Sequence, residues 1–470
     1  MIFPSTEEYI KKSENYNLIP VCKEFIVDTE TPISIFIKAG GLEKNSFLLE
    51  SIEGSKNISR YSFIGVDYDS LMSFNESNMT FNSSNNNVAV KTRTPLDELQ
   101  KIMNKYHPYK NPAMDHFIGG AVGYLSYDLV KYFENISLPS EFSKFPEMML
   151  FLTDKIIVFD HALNKMKIIT TIKIDSGVSA ANAYNLSVEK IEEIEEKIFK
   201  GKTNSYSSDN SLSNGKIGSM KSIESIQGIG SIGNIGNDIR IGNTGSMGSN
   251  VSIKSNGSID FSSLSLLDKS AIKSNFKKED FLEAVEKAKK YIIDGEVFQM
   301  VLSQRFNVIC TATPFNIYRV LRTINPSHYM YYINFEKFKI IGSSPEPLIK
   351  IKGRKILTYP IAGTRKRGKS KSEDRHLINE LLKDQKERVE HNMLVDLARS
   401  DLGRVCRFGS VKISKYMYAE KYSHVIHLVS RIEGILEKDR TIYDALKSVF
   451  PAGTLTGAPK IRAMQLISSC

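Results

Sequence analysis

Cysteine is scarce in this sequence, with four residues in 470, and tryptophan is absent although 24 Phe and 21 Tyr are present. The cysteines stand too far apart for a metal knuckle and are too few for a disulfide framework in a chain of this size. Their positions are Cys22, Cys310, Cys406 and Cys470. We therefore expect reduced thiols in a cytoplasmic protein.

Long apolar runs are also missing. No stretch of about 18 uninterrupted apolar residues occurs that could span a membrane. Residues 1–17 carry Glu7, Glu8 and Glu14 where a secretory signal would need an apolar segment. Neither a membrane span nor a signal peptide is predicted, and a hydrophobic content of 41% is enough for a large globular core.

The charge balance is positive, +10 from 63 basic and 53 acidic residues. A nucleic-acid partner would need clustered Lys and Arg with interleaved aromatic side chains. The densest basic run, residues 365–371, is short and contains no aromatic residue. We expect no nucleic-acid partner, because that alternative rests on charge alone, whereas a basic surface also suits an anionic small-molecule substrate.

Residues 201–272 differ from the rest in composition. Gly, Ser, Asn and Ile recur there in near-repeats such as Gly228–Asn237, with too few large apolar residues to offset the entropy of ordering. We expect a disordered low-complexity insert between an N-terminal region, 1–200, and a C-terminal region, 273–470. Strand and helix patterns in the two regions do not alternate strictly, which predicts an α+β fold. One of these strands is predicted at Ser34–Lys38.

A long helix is predicted over residues 372–399. Glu387 and Glu390 are three residues apart within it and so share one face. Two carboxylates on one face suit Mg²⁺, which completes its shell with water and substrate oxygens. The alternative is a solvated helix face, with Lys386 and Arg388 as neighbours.

Three other residues, Glu346, His424 and His427, have side chains suited to acid or base chemistry, and a turn like that of Glu346 exposes Thr364. Glu346 and Thr364 each follow a strand that runs into a Gly or Pro turn, where partial burial would raise the pKa of Glu346 and make it a general acid. Strand alternation places His424 and His427 on opposite faces, so that one of them could act as acid or base. A structural role in a turn or in the core is the alternative for each.

The most informative segment is Phe450–Met464. Its Gly-rich turn leads to Pro459 at a plausible first helical position, which leaves free N–H groups and the positive end of a helix dipole. With Lys460 nearby, this is a possible site for a carboxylate or a phosphate. An ordinary turn between a strand and a helix is the alternative.

These segments resemble those of the chorismate-utilising enzymes, and among them the family of anthranilate synthase large subunits, component I. Phe450–Met464 matches that family almost letter for letter, and the resemblance covers most of residues 18–470 outside the insert. Further matches lie at Ser46–Ser51, Arg60–Gly65 and Gly119–Tyr124. The resemblance implies a fold with two large antiparallel sheets packed as a sandwich and flanked by helices. It also implies conversion of chorismate and ammonia to anthranilate and pyruvate, the first committed step of tryptophan biosynthesis.

The resemblance further implies a role for each site residue. Glu390, with Glu387 beside it, would hold the Mg²⁺ that positions a chorismate carboxylate. Glu346 would assist departure of the 4-hydroxyl group as ammonia attacks C2, His427 would serve the elimination of pyruvate, and Thr364 completes the implied catalytic set. The substrate pocket would be lined by Gln299, Ala362, Gly363, Thr364, Thr454 and Gly457.

Two positions separate the chain from related enzymes. Aminodeoxychorismate synthases, the runner-up interpretation, usually carry a nucleophilic Lys where Ala362 stands. Isochorismate and salicylate synthases carry a water-activating Lys where Gln299 stands. Neither Ala362 nor Gln299 can perform that chemistry, which favours ammonia as the nucleophile.

The resemblance also implies two regulatory or supply partners. Because no nucleophilic cysteine lies in a Gly-x-Cys-x-Gly setting, ammonia would come from glutamine on a separate amidotransferase subunit, component II. Tryptophan would act as a feedback inhibitor, although His328 stands where Pro is usual in one of the implied elements. The implied inhibitor residues are Glu50, Ser51, Asn325, Pro326, Tyr329 and Met330.

Members of the family continue past the helix that begins near Lys460. We therefore expect a C-terminally truncated chain that is inactive or severely impaired as given. The corresponding alternative is a non-catalytic protein that binds tryptophan or the amidotransferase.

Overall fold

The computed structural model describes most of the chain outside the insert. The described residues are 2–52, 60–68, 70–83, 86–112, 114, 116–138, 145–175, 177–200, 226–230, 272–310, 312–422 and 424–470. Most of the predicted disordered insert therefore lies outside the described residues. Where the structure does describe it, at Ile226–Gly230, it places a short strand.

Helices and strands are mixed along the chain. The helices are α1 (Thr6–Ser13), α2 (Pro32–Lys38), α3 (Pro95–Met103), α4 (Ala180–Phe199), α5 (Lys278–Ile293), α6 (Pro314–Ile324), α7 (Lys371–Lys383), α8 (Gln385–Gly403), α9 (Ile442–Val449) and α10 (Lys460–Ile467). None of the helices in the described part of the chain is long and apolar enough to cross a bilayer.

The strands before the insert are β1 (Ile2–Phe3), β2 (Leu18–Ile26), β3 (Ser46–Glu50), β4 (Tyr61–Val66), β5 (Leu71–Asn75), β6 (Asn78–Ser83), β7 (Asn86–Lys91), β8 (Gly120–Leu125), β9 (Met148–Thr153), β10 (Lys155–Asp160) and β11 (Lys165–Lys173). Those within and after it are β12 (Ile226–Gly230), β13 (Lys273–Ser274), β14 (Gln299–Met300), β15 (Gln304–Val308), β16 (Tyr329–Asn334), β17 (Lys339–Ser344), β18 (Lys350–Lys352), β19 (Lys355–Thr358), β20 (Ile361–Lys366), β21 (Lys412–Lys421), β22 (Val425–Ile435) and β23 (Gly457–Ala458).

The largest sheet joins the two regions that flank the insert. Its eight strands run in the order β1-β2-β11-β10-β4-β3-β16-β17, and every neighbouring pair is antiparallel. Strands β16 and β17 follow the insert in sequence, yet β16 pairs with β3 so that Met330 lies opposite Glu50. The division into regions 1–200 and 273–470 stays a prediction about the sequence, while the sheet itself takes strands from both.

A second sheet packs on one face of the first. Its order is β7-β6-β5-β9-β8, and its residue Phe151 packs with Phe47 and Val158 of the large sheet in one core. Phe47 and Phe151 are fully buried, and each such side chain contributes roughly 1.5–3 kcal/mol to folding. Helices α2, α4 and α6 cover the opposite face. The predicted α+β fold with two packed antiparallel sheets is confirmed.

A third sheet carries most of the predicted site. Strand β22 pairs with β20 and β19 in succession, and with β21 as well. Helices α7 and α8 lie on this sheet, with Leu381 against Ile426 and Leu428, and Val395 against Ile432. Strand, helix and bulge positions on this sheet therefore set the geometry of the site.

The segment Ser34–Lys38 lies in helix α2, so the predicted strand is wrong. Pro32 begins the helix, and Thr31 and Ser34 form a reciprocal capping box at its start. Phe36 and Ile35 are then fully buried against the large sheet. Capping and burial outweigh the weak strand preference of a β-branched run.

The long helix predicted over residues 372–399 is two helices. Asp384 has an extended backbone, with ψ of 113°, and separates α7 from α8. Its carboxylate accepts hydrogen bonds from the backbone N–H groups of Lys386 and Glu387, at 3.0 and 3.2 Å. This N-cap begins α8 just before the two predicted metal ligands and fixes their turn.

The helix after the Gly-rich loop starts one residue later than predicted. Pro459 is the N-cap residue, and Lys460 begins α10. Lys460 is buried, and its ammonium donates to Asp401 at 2.7 Å and to the Val449 carbonyl at 3.0 Å. Lys460 therefore holds the loop to α8 and α9, and the possible anion site near it stays a prediction.

Candidate active site

His427 and Thr364 face each other across the paired strands β20 and β22. The Nδ1 atom of His427 lies 3.0 Å from the Gly363 carbonyl oxygen and 3.1 Å from the Thr364 hydroxyl. A carbonyl oxygen only accepts hydrogen bonds, so Nδ1 carries the proton and donates it. The lone pair of the neutral imidazole therefore lies on Nε2.

The environment keeps this imidazole neutral. Burial lowers the pKa of His427 below its ordinary value, and the hydrogen bond to Gly363 opposes the effect only in part. Nε2 is thus available as a base near neutral pH. His424, the other histidine that strand alternation singles out, is exposed.

Gly363 allows this hydrogen bond because the strand bulges there. Its φ is +63°, and the register shifts between Ala362 and Thr364. A Cβ atom at this position would lie 3.1 Å from Oε2 of Glu387, which favours glycine. Ala362 is buried and pairs with Leu428, so its methyl group contributes only packing.

Glu346 lies just after β17, where a side-chain turn fixes it. The Ser344 hydroxyl donates to the Glu346 carbonyl at 3.0 Å and accepts from its N–H at 3.4 Å. Burial raises the pKa of the Glu346 carboxyl to about 8, and a hydrogen bond with Thr454 opposes the rise. The carboxyl is therefore largely protonated at neutral pH. A cavity of about 40 Å³ borders Glu346, Thr454 and Asp401.

Tyr422 lies beside His427. It is buried, and its ring meets that of His427 edge-on, with centroids 5.2 Å apart. Burial raises the pKa of the Tyr422 phenol, and nearby ionisable groups, Glu346 among them, add to the rise. Because electrostatic effects weaken with distance, Tyr422 lies near Glu346 as well as beside His427.

The Gly-rich loop closes against β14. Gln299 pairs with Ala458, and the Val301 N–H donates to the Thr456 carbonyl at 2.9 Å. The side-chain oxygen Oε1 of Gln299 is buried and accepts no hydrogen bond from the described residues. Gly457 has a φ of +143°, and a Cβ on it would lie 2.1 Å from the Gln299 carbonyl oxygen.

Replacing Gly457 by alanine is therefore expected to open the pairing of β14 with β23. Strained φ and the overlap with Gln299 together cost on the order of 3 kcal/mol of unfolding free energy. Denaturant unfolding measures the loss. Gly295→Ala is the control, since Gly295 also has a positive φ, +81°, but an added Cβ would meet nothing within 4 Å. Equal losses in the two variants would show that the overlap with Gln299 is unimportant.

The two predicted metal ligands share one face of α8. Glu387 is half-buried and paired with Arg365 at 3.1 Å, while Glu390 has no hydrogen bond or ion pair among the described residues. Burial raises the pKa of Glu390, and the charge of Glu387 adds to the rise. No group of three or more His, Cys, Asp or Glu is placed to hold a metal in the described part of the chain. Two carboxylates do fit Mg²⁺, because substrate oxygens and water complete its shell.

Arg365 is a contact that the sequence patterns did not reveal. Its guanidinium also pairs with Glu380 at 2.9 Å and with Asp384 at 2.8 Å. It therefore ties β20 to both helices and holds Glu387 in place. The sequence places Arg365 directly after the predicted site residue Thr364, which could have marked Arg365 as part of the site. Its acidic partners lie on other elements, so these ion pairs could not be predicted from the segment around Arg365.

The residues of the predicted inhibitor site meet at one end of the large sheet. Glu50 is buried, accepts a hydrogen bond from the Tyr318 hydroxyl at 2.6 Å and pairs with Arg322 at 3.1 Å. Met330 lies opposite Glu50 and is buried as well. Ser51 follows at the end of β3. These contacts bring the two predicted elements together.

The other three residues of that site lie in the connection from α6 to β16. Asn325 is the C-cap residue of α6, and its carbonyl accepts a hydrogen bond from the Ser343 hydroxyl at 2.8 Å. Pro326 follows, and Tyr329 begins β16 opposite Ser344, with its pKa raised to about 12 by burial. This segment therefore lies beside the strand that leads to Glu346.

Comparisons with known proteins agree on one family. The sequence model of the chorismate binding enzymes matches residues 44–222 and 264–470. The chain is 39% identical to anthranilate synthase component 1 of Acetivibrio thermocellus, over 99% of this chain and 84% of that protein. It is 38% identical to the protein of the same name from Aquifex aeolicus (strain VF5), over 98% of this chain and 83% of that protein.

A solved structure gives the same result. Anthranilate synthase component I from Streptococcus pneumoniae TIGR4 superposes with a TM-score of 0.63 at 30% identity, over 94% of this chain and 82% of that one. The chain spans more than four fifths of each of these three relatives.

Proposed function

The chain belongs to the chorismate binding enzymes and, by its relatives, to anthranilate synthase component 1, and from this premise we propose how its site performs the reaction. It is a chorismate-utilising lyase of the first step in tryptophan biosynthesis. The proposed reaction joins ammonia to chorismate and releases anthranilate and pyruvate.

One observation carries the proposed roles. Burial pushes the pKa of Glu346 up to about 8 and the pKa of His427 below its ordinary value, and Tyr422 lies near both residues. The carboxyl is then a proton donor and the imidazole a proton acceptor at the same pH. Two titratable groups whose pKa values are pushed apart are the expected signature of an acid and a base.

In the first proposed step, Glu346 is the general acid. Ammonia forms a bond to C2, the ring double bonds shift, and the bond from C4 to its hydroxyl oxygen breaks. Glu346 donates its proton to that oxygen, which leaves as water, and the new ammonium group releases a proton in exchange. The hydrogen bond with Thr454 holds the Glu346 carboxyl in its orientation. The product is aminodeoxyisochorismate.

In the second proposed step, His427 is the base. Nε2 removes the proton from C2, the bond from C3 to the enolpyruvyl oxygen breaks, and the ring becomes aromatic. The leaving enolpyruvate takes up a proton to become pyruvate. Thr364 and Gly363 hold Nδ1, which keeps the basic lone pair on Nε2.

The remaining pocket residues would bind the substrate and exclude the related reactions. We place Gln299, whose buried Oε1 lacks a protein donor, where a substrate hydroxyl or amino group could donate to it. We also place Ala362, Gly363, Thr454 and Gly457 in the walls of the proposed pocket. Ala362 has no nucleophile and Gln299 no basic group, which argues against the aminodeoxychorismate and isochorismate reactions.

Glu390 and Glu387 would hold Mg²⁺. When bound, the metal supplies positive charge for the substrate carboxylate. Arg365 would keep Glu387 oriented, and the mutual repulsion that raises the pKa of Glu390 would be relieved by a cation. The carboxylates of Glu387, Glu390 and the substrate would then all be stabilised by the same cation.

Replacing Glu390 by glutamine is expected to weaken Mg²⁺ binding at least about tenfold, the lower limit for losing even an outer-shell partner. Titration calorimetry with Mg²⁺, and paramagnetic resonance with Mn²⁺, measure the affinity. The control is Asp396→Asn, which removes an exposed carboxylate further along α8. If the two variants bind the ion as wild type does, the proposed ligands are wrong.

Ammonia and inhibitor come from outside the chain. All four cysteines are free, and burial raises the pKa of Cys22 to about 12 and of Cys406 to about 11, so neither is a ready thiolate. We therefore place glutamine hydrolysis on a separate amidotransferase, component II, and the complex in the cytoplasm. Tryptophan would bind the residues Glu50, Ser51, Asn325, Pro326, Tyr329 and Met330 as feedback inhibitor.

The test is product formation by the purified protein from chorismate, Mg²⁺ and ammonium, followed by anthranilate fluorescence. We expect anthranilate with ammonium and none with glutamine until component II is added. Accumulation of isochorismate or aminodeoxychorismate instead would assign the chain to a related reaction. No product, with chorismate still bound, would support the non-catalytic alternative.

A further inference from the structure

Three aromatic side chains form a column between the predicted inhibitor segment and the catalytic imidazole. The ring of His328 lies 4.9 Å from that of Tyr422 at 46°, and Tyr422 meets His427 at 5.2 Å and 71°. His328 is 7% exposed and Tyr422 6%, so neither ring can swing into solvent without leaving the core. Contacts of this kind are specific in geometry as well as favourable.

The backbone of Tyr422 is anchored independently of its ring. Its N–H donates to the Val425 carbonyl at 2.8 Å across the hairpin that joins β21 to β22. Its carbonyl accepts from Arg367 at 2.6 Å, and Arg367 is held in turn by the buried carboxylate of Asp374 at 2.8 Å. The backbone of Tyr422 is therefore fixed, and its ring contacts the rings of two histidines.

The imidazole of His427 needs such a neighbour. Hydrogen bonds to Gly363 and Thr364 hold only Nδ1, which leaves the ring free to tilt about that edge. Nε2, on the far side of the ring, moves most in such a tilt. The Tyr422 ring, which meets the imidazole at 71°, restricts this tilt of His427. It thereby determines the direction of the Nε2 lone pair.

His328 ties the column to the inhibitor segment. It lies between Ser327, whose hydroxyl donates to the Ser344 carbonyl at 2.9 Å, and Tyr329, which begins β16. The hydroxyl of the same Ser344 makes the turn that fixes Glu346. One short segment thus borders the supports of both the acid and the base.

We propose that Tyr422 is a positioning residue for His427, and that His328 makes the position of this imidazole depend on the segment Asn325–Met330. The proposal rests on the proposed function for the role of His427 and for tryptophan as the ligand of that segment. Binding of tryptophan to this segment displaces the His328 ring and, with it, the Tyr422 ring. Nε2 of His427 then no longer points at the reacting proton.

The first arm of the test uses no substrate. Long-range proton–nitrogen correlation spectra of nitrogen-15-labelled histidine show which ring nitrogen carries the proton, and the eight histidines are few enough to assign His427 by its loss in His427→Asn. Wild type and Tyr422→Phe are expected to show only the Nδ1–H form. Tyr422→Leu is expected to show a mixture, and Tyr422→Met repeats the test if the leucine variant does not fold.

The second arm measures rates. Tyr422→Leu is expected to lower kcat between about tenfold and 100-fold at unchanged KM, the range for a small misplacement of a reacting group, and Tyr422→Phe to restore it. Tyr416→Leu, which changes an exposed tyrosine on β21, is the control. A wild-type histidine spectrum and wild-type kcat in Tyr422→Leu would overturn the positioning role.

The third arm tests the link to the inhibitor. Because the protein has no tryptophan, selective excitation of indole reports bound tryptophan directly. His328→Leu is expected to bind tryptophan but to lose inhibition at least about tenfold, the lower end of typical coupling between sites, while His328→Phe keeps it. Full inhibition of His328→Leu would overturn the link. If tryptophan does not bind wild type, the proposed inhibitor site is wrong. The His427 spectrum of His328→Leu then tests the link alone: a mixture of ring forms supports it, and the wild-type spectrum overturns it.

Discussion

Replacing Glu346 by glutamine is expected to lower kcat about 100- to 10,000-fold, the usual contribution of a positioned general acid. Glutamine has nearly the same shape and can still accept the hydrogen bond from Thr454, but it has no proton to give to the leaving hydroxyl group. Binding of chorismate should change little, because the lost interaction belongs to the transition state. The measurement is steady-state anthranilate formation at fixed concentrations of chorismate and Mg²⁺.

The same variant is expected to be more stable than wild type in alkaline solution. The carboxyl has a pKa of about 8 in the fold, against an ordinary value of 4.5, because burial disfavours its charge. A raised folded pKa means that stability is highest below the unfolded value and falls as pH rises through the folded one. Ionisation then costs wild type on the order of 3–5 kcal/mol above pH 8, and glutamine avoids that cost.

Thermal unfolding at a pH near 4.5 and at a pH above 8 separates the two effects. Glu346→Gln should match wild type in acid and unfold at a higher temperature in alkali. Glu283→Gln, on the exposed face of α5, is the control and should differ from wild type at neither pH. An alkaline destabilisation by Glu346→Gln would mean that the buried carboxyl is ionised and paired, which contradicts its role as an acid.

Replacing His427 by asparagine is expected to lower anthranilate formation by a similar factor, about 100- to 10,000-fold, for a different reason. The asparagine amide can still donate to the Gly363 carbonyl, but the base on the far side of the ring is gone. Amination does not require that base, so the aminated and non-aromatic intermediate should accumulate. Liquid chromatography with mass detection measures it.

His424→Asn is the matched control for this experiment, since His424 is exposed three residues earlier on the same hairpin. It should leave both steps unchanged. If His427→Asn instead consumes no chorismate at all, the imidazole acts before or during amination and the division of labour between Glu346 and His427 is wrong.

The pH dependence follows from the same two groups. The pKa of His427 lies below its ordinary value of 6.5, so the basic form is complete above that pH. The pKa of Glu346 is about 8, so the acidic form is lost above it. The rate at constant free ammonia should therefore form a bell between these limits.

Local motifs carried most of what the sequence could predict. Glu346, Thr364 and His427 each lie at a strand end or on a strand whose pattern is visible in a few residues, and the structure places Thr364 beside His427 across β20 and β22. Helical spacing predicts that Glu387 and Glu390 share one face, and this holds although the helix is shorter than expected, whereas their metal role is what the resemblance implies. Short-range spacing survives an error in element length because both residues lie after the break.

Contacts between distant segments could not be predicted in the same way. The pair of Lys460 with Asp401, the pair of Arg365 with Glu387 and the column of His328 on Tyr422 each join segments that only the sheet topology brings together. Helix α2 shows the same limit for local structure, since the burial of Phe36 and a capping box decide its form. A local sequence pattern shows neither which distant residue a side chain contacts nor how deeply that side chain is buried.

The most direct test of the account is the reaction of chorismate with nitrogen-15-labelled ammonium and Mg²⁺ on the wild-type protein, with the products identified by mass spectrometry. We predict anthranilate heavier by one mass unit and an equal amount of pyruvate. Isochorismate, or a product without the label, would contradict the assignment of ammonia as the nucleophile and of His427 as the base that completes the reaction.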